Sequence, residues 1–192
     1  MGATRKLMPA PERRAALMHA AKDAFAERGF AATSMDDVAA AAGVSRLIVY
    51  RHFESKEALY DAVASETGAM LDAALHASTD TPGYAAVQAL LTVARADRSG
   101  FTVLWEHVAR EPQFSAHADR FREPAVAFVR TLLVNAGVPD ARLTWASETL
   151  LSFAIAAVTH WVETEPVERD EEFLALIAQS VPPMIRAWAG TT

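Results

Sequence analysis

Two serines and a glycine, Ser34, Gly43 and Ser45, set the most restrictive pattern in the chain: two short helices meeting at a tight corner. Ser34 is a good helix N-cap, and Asp37 stands three residues on. That spacing gives a capping-box-like start with an acid suited to the positive end of the helix dipole. Met35, Val38, Ala39 and Ala42 recur at i, i+3, i+4 and i+7, one apolar stripe on a helix of about two turns. Gly43 follows where a residue with positive φ must end that helix, and Val44 can plug the corner. Ser45 then caps a second helix from Arg46 to about Phe53, with Val49 and Phe53 facing inward, and Ser55 caps a longer third helix. Two helices crossing steeply over a short glycine turn make a helix-turn-helix, whose second helix can enter the major groove of DNA.

A glycine corner between short helices also occurs in many all-α proteins that never meet a nucleic acid. The outward residues of the second helix favour the DNA reading: Arg46, Leu47, Ile48, Tyr50, Arg51 and His52 fall within seven positions. A merely solvated face would more often carry Glu, Lys and Gln than adjacent aliphatics and a tyrosine.

Residues 11–60, about a quarter of the chain, resemble the N-terminal DNA-binding domain of the TetR/AcrR family of bacterial transcriptional regulators. Three blocks carry the resemblance: Ala20 to Phe30 (AAKDAFAERGF), Thr33 to Ser45 (TSMDDVAAAAGVS) and Val49 to Leu59 (VYRHFESKEAL). It implies that Arg46, Leu47, Ile48 and Arg51 read base edges, while Ser34, Tyr50, His52 and Lys56 grip phosphates. The chemistry suits those roles: an arginine can pair bidentately with O6 and N7 of guanine, whereas a lysine near a helix N-terminus acts as a point charge on the backbone. One departure stands out. The family usually has Thr or Ser at the position of Ile48, and a small residue or proline at that of Leu47. Both aliphatics can touch a thymine methyl but cannot hydrogen-bond, so the operator of a relative does not transfer to this chain.

The formal charge of −6 argues against DNA only if it is averaged over the whole chain. Residues 1–62 carry nine Lys/Arg against eight Asp/Glu, whereas residues 63–192 carry nine against sixteen. Local charge is what counts for DNA. Arg5, Lys6, Arg13 and Arg14 make either a basic N-terminal arm or a solvated tail. The start of the chain has no hydrophobic stretch of the secretory kind and no apolar run of 18 residues occurs, so neither export nor a membrane span is expected. The absence of cysteine excludes disulfides and thiolate metal sites and is compatible with the cytoplasm. No two of the six histidines lie at i, i+3 or i, i+4, and there is no HExxH, phosphate-binding glycine loop or nucleophile elbow. No metal, cofactor or enzymatic activity is therefore expected.

The remainder reads as helix after helix, giving an all-α fold of about nine: 11–29, 35–42, 46–53, 55–77, 83–96, 100–110, 115–136, 140–164 and 168–189. This divides into a three-helix DNA-binding domain, 1–62, and a helical effector-binding and dimerisation domain, 63–192. The fourth helix would join them continuously, so that movement in the body could re-aim the head. The penultimate helix is apolar or small over most of its surface, so it must be buried on more than one side. Together with the last helix it suggests a dimer interface through Phe153, Ala157, Trp161, Ile177, Val181 and Ile185; a four-helix bundle built this way is also what the resemblance implies. Candidate effector-pocket residues are Arg98, Trp105 and His107, which combine packing surface with hydrogen-bonding capacity, then His160, with Phe101 and Phe128 as apolar lining, each also explicable as ordinary core. The acidic cluster Glu163, Glu165, Glu168, Asp170, Glu171 and Glu172 reads as a solvated loop and helix start.

The expected function is therefore a homodimeric repressor on a palindromic double-stranded operator, released by a small, largely apolar effector. Two alternatives remain open: a regulator with no small-molecule effector, and an all-α small-molecule binder or enzyme with a vestigial helix-turn-helix.

Overall fold

The computed structural model describes residues 9–78, 81–107 and 115–190, except for the side chains at 106–107 and 115–121. Among the described residues every regular element is helical. They form α1 (Ala10–Ala32), α2 (Met35–Ala41), α3 (Arg46–His52), α4 (Lys56–Ala77), α5 (Pro82–Ala96), α6 (Arg98–Thr102), α7 (Ser115–Asn135), α8 (Asp140–Thr164) and α9 (Asp170–Ala189). A π-helical turn, Val103–His107, continues α6, and a 3₁₀ turn, Val167–Arg169, precedes α9. None of the described helices is long and apolar enough to cross a membrane. The sequence expectation of one helix over 100–110 gives way to the short α6 and its π turn; the remainder, 108–110, lies outside the described residues.

The chain divides into two compact units, Met1–Glu66 and Thr67–Thr192, with the division falling inside α4. In the first unit, α1 buries Leu17, Ala21, Ala24 and Phe25 and is broken at Gly29 (φ 81°, ψ 167°). Thr33, almost wholly buried, donates its hydroxyl to the carbonyls of Gly29 (2.8 Å) and Ala24 (3.1 Å), tying down the end of the helix. Phe25, Phe30 and Tyr60 form an aromatic core, with Tyr60 edge-on to both phenylalanines at centroid distances of 5.4 and 5.2 Å. Such edge-to-face pairs add to the burial energy of the rings. Lys22 is buried on α1, its ammonium paired with Glu66 at 2.6 Å.

In the second unit α8 packs against α7, α5 and α9, burying Leu143, Ala146, Leu150, Leu151, Ile155 and Val158. Buried Phe101, Val103, Leu104 and Trp105 line the inner side of α6 and its π turn. Gly100 lies where α6 runs against Thr67: its N–H donates to Asp97 Oδ1 (3.0 Å), and a methyl group in place of its hydrogen would collide with the Asp97 carboxylate and the Thr67 hydroxyl. Gly100→Ala is therefore expected to destabilise this unit by about 1–3 kcal/mol, the usual cost of overpacking. A lowered urea midpoint followed by tryptophan fluorescence checks this, since all four tryptophans lie between residues 105 and 188.

The acidic stretch around the α8–α9 break differs from the solvated loop expected of it. Arg95 on α5 reaches Asp170 with two nitrogens, Nε at 3.1 Å and Nη2 at 2.7 Å, and also donates to the carbonyls of Glu165 (2.9 Å) and Val162 (3.4 Å). The Trp161 indole N–H donates to the same carboxylate at 3.0 Å. Hydrogen bonding from Arg95, supplemented by Trp161, holds the Asp170 carboxyl below the usual carboxylate range against the opposing effect of burial. Glu165 and Glu172 both pair with Arg169, and Glu163 pairs with Arg98; Glu168 and Glu171 are exposed.

Candidate nucleic-acid interface

The interface is built on the corner between α2 and α3. Ser34 and Asp37 form a full capping box: the Asp37 N–H donates to Ser34 Oγ (3.1 Å), and the Ser34 N–H donates to Asp37 Oδ2 (2.8 Å). The Ser34 hydroxyl also donates to Oδ2 at 2.6 Å. These bonds, with Arg28 nearby, hold the Asp37 carboxyl below its ordinary range. At the other end of α2, Gly43 (φ 64°) closes the helix, with its N–H on the carbonyl of Ala40 (3.1 Å) and the Val44 N–H on that of Ala39 (3.0 Å). This double bond pattern is the Schellman closure, which needs a left-handed residue at the position of Gly43. Nothing lies within 4 Å of where a Cβ on Gly43 would stand, so backbone conformation alone calls for glycine here.

Ser45 precedes α3, and its carbonyl accepts the N–H groups of Ile48 (2.9 Å) and Val49 (3.4 Å); its hydroxyl makes no capping bond. Val49 and Phe53 are buried, as the spacing predicts, and the Arg14 guanidinium lies 4.6 Å from the centre of the Phe53 ring. Arg14, read in sequence as part of an arm or tail, thus packs on the end of α3 from within α1; Arg5 and Lys6 lie outside the described residues.

The outward side of α3 presents Arg46, Leu47, Tyr50 and Arg51, all exposed, with Ile48 and His52 half-buried beside them. Leu47 is 71% exposed, an unusual position for a leucine in a helix of one polar and one buried side. The Arg51 side chain makes no hydrogen bond or ion pair among the described residues. Arg46 is held at three points. Its Nη1 donates to Asp36 Oδ2 (2.8 Å), its Nη2 donates to the Tyr50 hydroxyl (3.3 Å), and its guanidinium carbon lies 5.2 Å from the Tyr50 ring centre. The bond to Tyr50, followed by the charge of Asp36, raises the Arg46 pKa above that of an ordinary arginine.

Lys56 shows a second use. Its ammonium donates to the carbonyls of Phe30 (2.8 Å) and Ala31 (3.5 Å) and sits 4.2 Å from the centre of the Phe30 ring. A cation there suits the negative end of α1, and one of its three N–H groups remains for another acceptor. Ser34 is exposed while serving as the cap of α2. Sequence reasoning missed Asp36, whose partner stands ten residues away across the corner, and Tyr60, whose place in the aromatic core no local pattern signals.

The proposed effector residues differ in burial. Phe101 and Trp105 are buried; Arg98 is exposed and paired with Glu163 at 2.7 Å; Phe128 and His160 are exposed. The His107 side chain lies outside the described residues. Trp105 Nε1 and Thr159 Oγ1 are buried without a hydrogen-bond partner among the described residues. Of the proposed dimer residues, Phe153 is 40% exposed, and Ala157, Trp161, Ile177, Val181 and Ile185 are half-buried.

A glycine corner closed by two backbone bonds, a short helix with an exposed cationic and aliphatic side, and a supporting helix pair define a helix-turn-helix DNA-binding protein. The family model for bacterial regulatory proteins of the TetR family matches residues 17–63. The HTH-type transcriptional activator FasR of Mycolicibacterium smegmatis is 30% identical over 172 residues, 85% of this chain and 78% of FasR. A TetR-like transcriptional regulator from Rhodococcus sp. RHA1 superimposes with a TM-score of 0.74 at 21% identity, over 96% of this chain and all of that one. The crystal structure of AibR in complex with isovaleryl coenzyme A and operator DNA matches at a TM-score of 0.65 and 19% identity, over 92% of this chain and 97% of AibR. The chain belongs to the TetR family of bacterial regulatory proteins, and it is a transcriptional regulator rather than an enzyme.

Proposed function

We propose that the chain is a cytoplasmic homodimeric repressor that occupies a roughly palindromic operator and is released by a small, largely apolar effector. The observation that carries the DNA part is the exposed side of α3, where two arginines and a 71%-exposed leucine stand on a corner fixed by backbone bonds. In this reading Arg46, Leu47, Ile48 and Arg51 meet base edges, and Ser34, Tyr50, His52 and the remaining N–H of Lys56 meet phosphates. Two heads related by a twofold axis would engage half-sites about one helical turn apart. The half-covered apolar residues Phe153, Trp161, Ile177, Val181 and Ile185 on α8 and α9 support pairing of these helices with their symmetry mates.

The effector part rests on Trp105 and Thr159, two buried polar atoms without partners among the described residues. Leaving such groups unsatisfied is costly, and a ligand with a polar end would complete them. AibR was crystallised with both an acyl-coenzyme A and its operator. An effector releases the operator only by binding the released state more tightly than the DNA-bound one. A dimer lying across a promoter excludes polymerase. Activation, favoured by the function in FasR's name, would follow from a site placed upstream.

Selection of bound sequences from a random DNA library at controlled salt tests the reading: an enriched inverted repeat is expected, and no enrichment by folded protein overturns it. On the selected site, Arg46→Ala is expected to weaken binding by roughly tenfold or more and to relax preference at one base pair per half-site. Placing the site across or upstream of a reporter promoter then reads the sign of regulation.

A further inference from the structure

Asp36 has no part in the capping box, since Asp37 fills that place, and it buries little surface. What it does have is Arg46. The Asp36–Arg46 pair is exposed on both sides, at 59% and 61% of the side-chain surface, so it adds little to folding stability. Its effect is on orientation. Asp36 Oδ2 takes one N–H of Nη1 and the Tyr50 hydroxyl takes one of Nη2, which leaves one N–H on each terminal nitrogen, the pair an arginine needs to meet O6 and N7 of a guanine. The anchors stand on helical backbone: Asp36 sits in the first turn of a capped helix, Tyr50 lies one turn along α3, and the Schellman closure at Gly43 joins α2 to α3.

We propose that Asp36 is a positioning residue that makes Arg46 a selective reader of one base pair and a poor partner for phosphate. The inference rests on the reading of Arg46 given above. Two effects combine. Held at both nitrogens, the guanidinium loses little conformational freedom when it meets a base. With its charge balanced by a carboxylate 2.8 Å away, Arg46 gains little from a phosphate, which that carboxylate repels, but it keeps its donors for the uncharged edge of guanine. Non-specific affinity is thereby exchanged for discrimination.

The test compares wild type, Asp36→Asn and Arg46→Ala on the selected operator, on operators changed at the base pair whose preference Arg46→Ala abolishes, and on random duplex, each over a salt series. Asn keeps the shape of Asp36 and removes its charge, and circular dichroism verifies that the helices persist. Asp36→Asn is expected to bind random duplex several-fold more tightly, to steepen the salt dependence by about one counterion, and to lose about tenfold in discrimination at that base pair. A purely structural role would move none of these. Asp36→Asn that tightens binding to every duplex alike, with discrimination intact, overturns the proposal and makes Asp36 a simple electrostatic brake; unchanged binding overturns it too. If Arg46→Ala selects the same DNA as wild type, the base-reading role of Arg46 falls, and this proposal falls with it.

Discussion

Phe53→Ala is expected to unfold the N-terminal unit and abolish operator binding while the tryptophans report almost no change. Phe53 is only 4% exposed, its N–H closes α3 on the carbonyl of Val49 (2.9 Å), and Arg14 lies over its ring. Truncating a buried phenylalanine costs about 3–5 kcal/mol, much of the 5–15 kcal/mol that holds a typical domain together. Tyr50 and Tyr60 lie in this unit, but all four tryptophans are in the other. Urea unfolding followed by circular dichroism should therefore acquire an early transition that tryptophan fluorescence does not see. Coincident, unshifted transitions in both signals would show that Phe53 does not anchor the recognition helix.

Arg95→Ala should produce the complementary result. Arg95 is four-fifths buried, neutralises Asp170 and satisfies two carbonyls at the end of α8. Its loss leaves a largely buried carboxylate beside Trp161 with only the indole to meet it. Breaking such a pair from one side costs roughly 3 kcal/mol, the lower end of the range for buried pairs. The tryptophan-monitored midpoint should fall, with a change in the emission of Trp161. The dependence on pH follows from Asp170. Its folded pKa lies below the unfolded value, so the stabilisation is complete above the unfolded pKa and is lost as pH falls through the folded one. The stability gap between wild type and Asp170→Asn should thus be constant above about pH 5 and close in stronger acid. A gap that persisted in acid would remove the charged pair as its source.

The corner was legible because it is local. Ser34, Asp37 and Gly43 act on backbone groups within five residues of themselves, so spacing alone indicates what they bond. The same holds for Val49 and Phe53, whose burial follows from helical period. What escaped depends on how elements meet. Asp36 and Arg46 are ten residues apart and pair only at the angle the corner happens to set. Lys56 reaches a carbonyl 26 residues away, and Arg95 reaches Asp170 across 75, so an acidic stretch that looks solvated in sequence becomes the tie between α5, α8 and α9. The exposure of the effector candidates has a similar origin: helix rotation leaves Arg98, Phe128 and His160 exposed and Phe101 and Trp105 buried, and no composition argument fixes rotation.

The corner also bears on how such a regulator changes over evolutionary time. The α2–α3 turn is closed by main-chain bonds from Gly43 and Val44, and the buried side chains that seat α3 are Val49 and, just past its end, Phe53, with Ile48 and His52 half-buried. Leu47 and Arg51 contribute almost nothing to holding the helix in place, since both face water. Substitutions there should be close to neutral for folding and, with the base-reading roles proposed above, would alter which bases are met. A lineage can therefore drift from one binding sequence to another through intermediates that remain folded, after a gene duplication for instance, with the two halves of its recognition alphabet mutating independently of its scaffold.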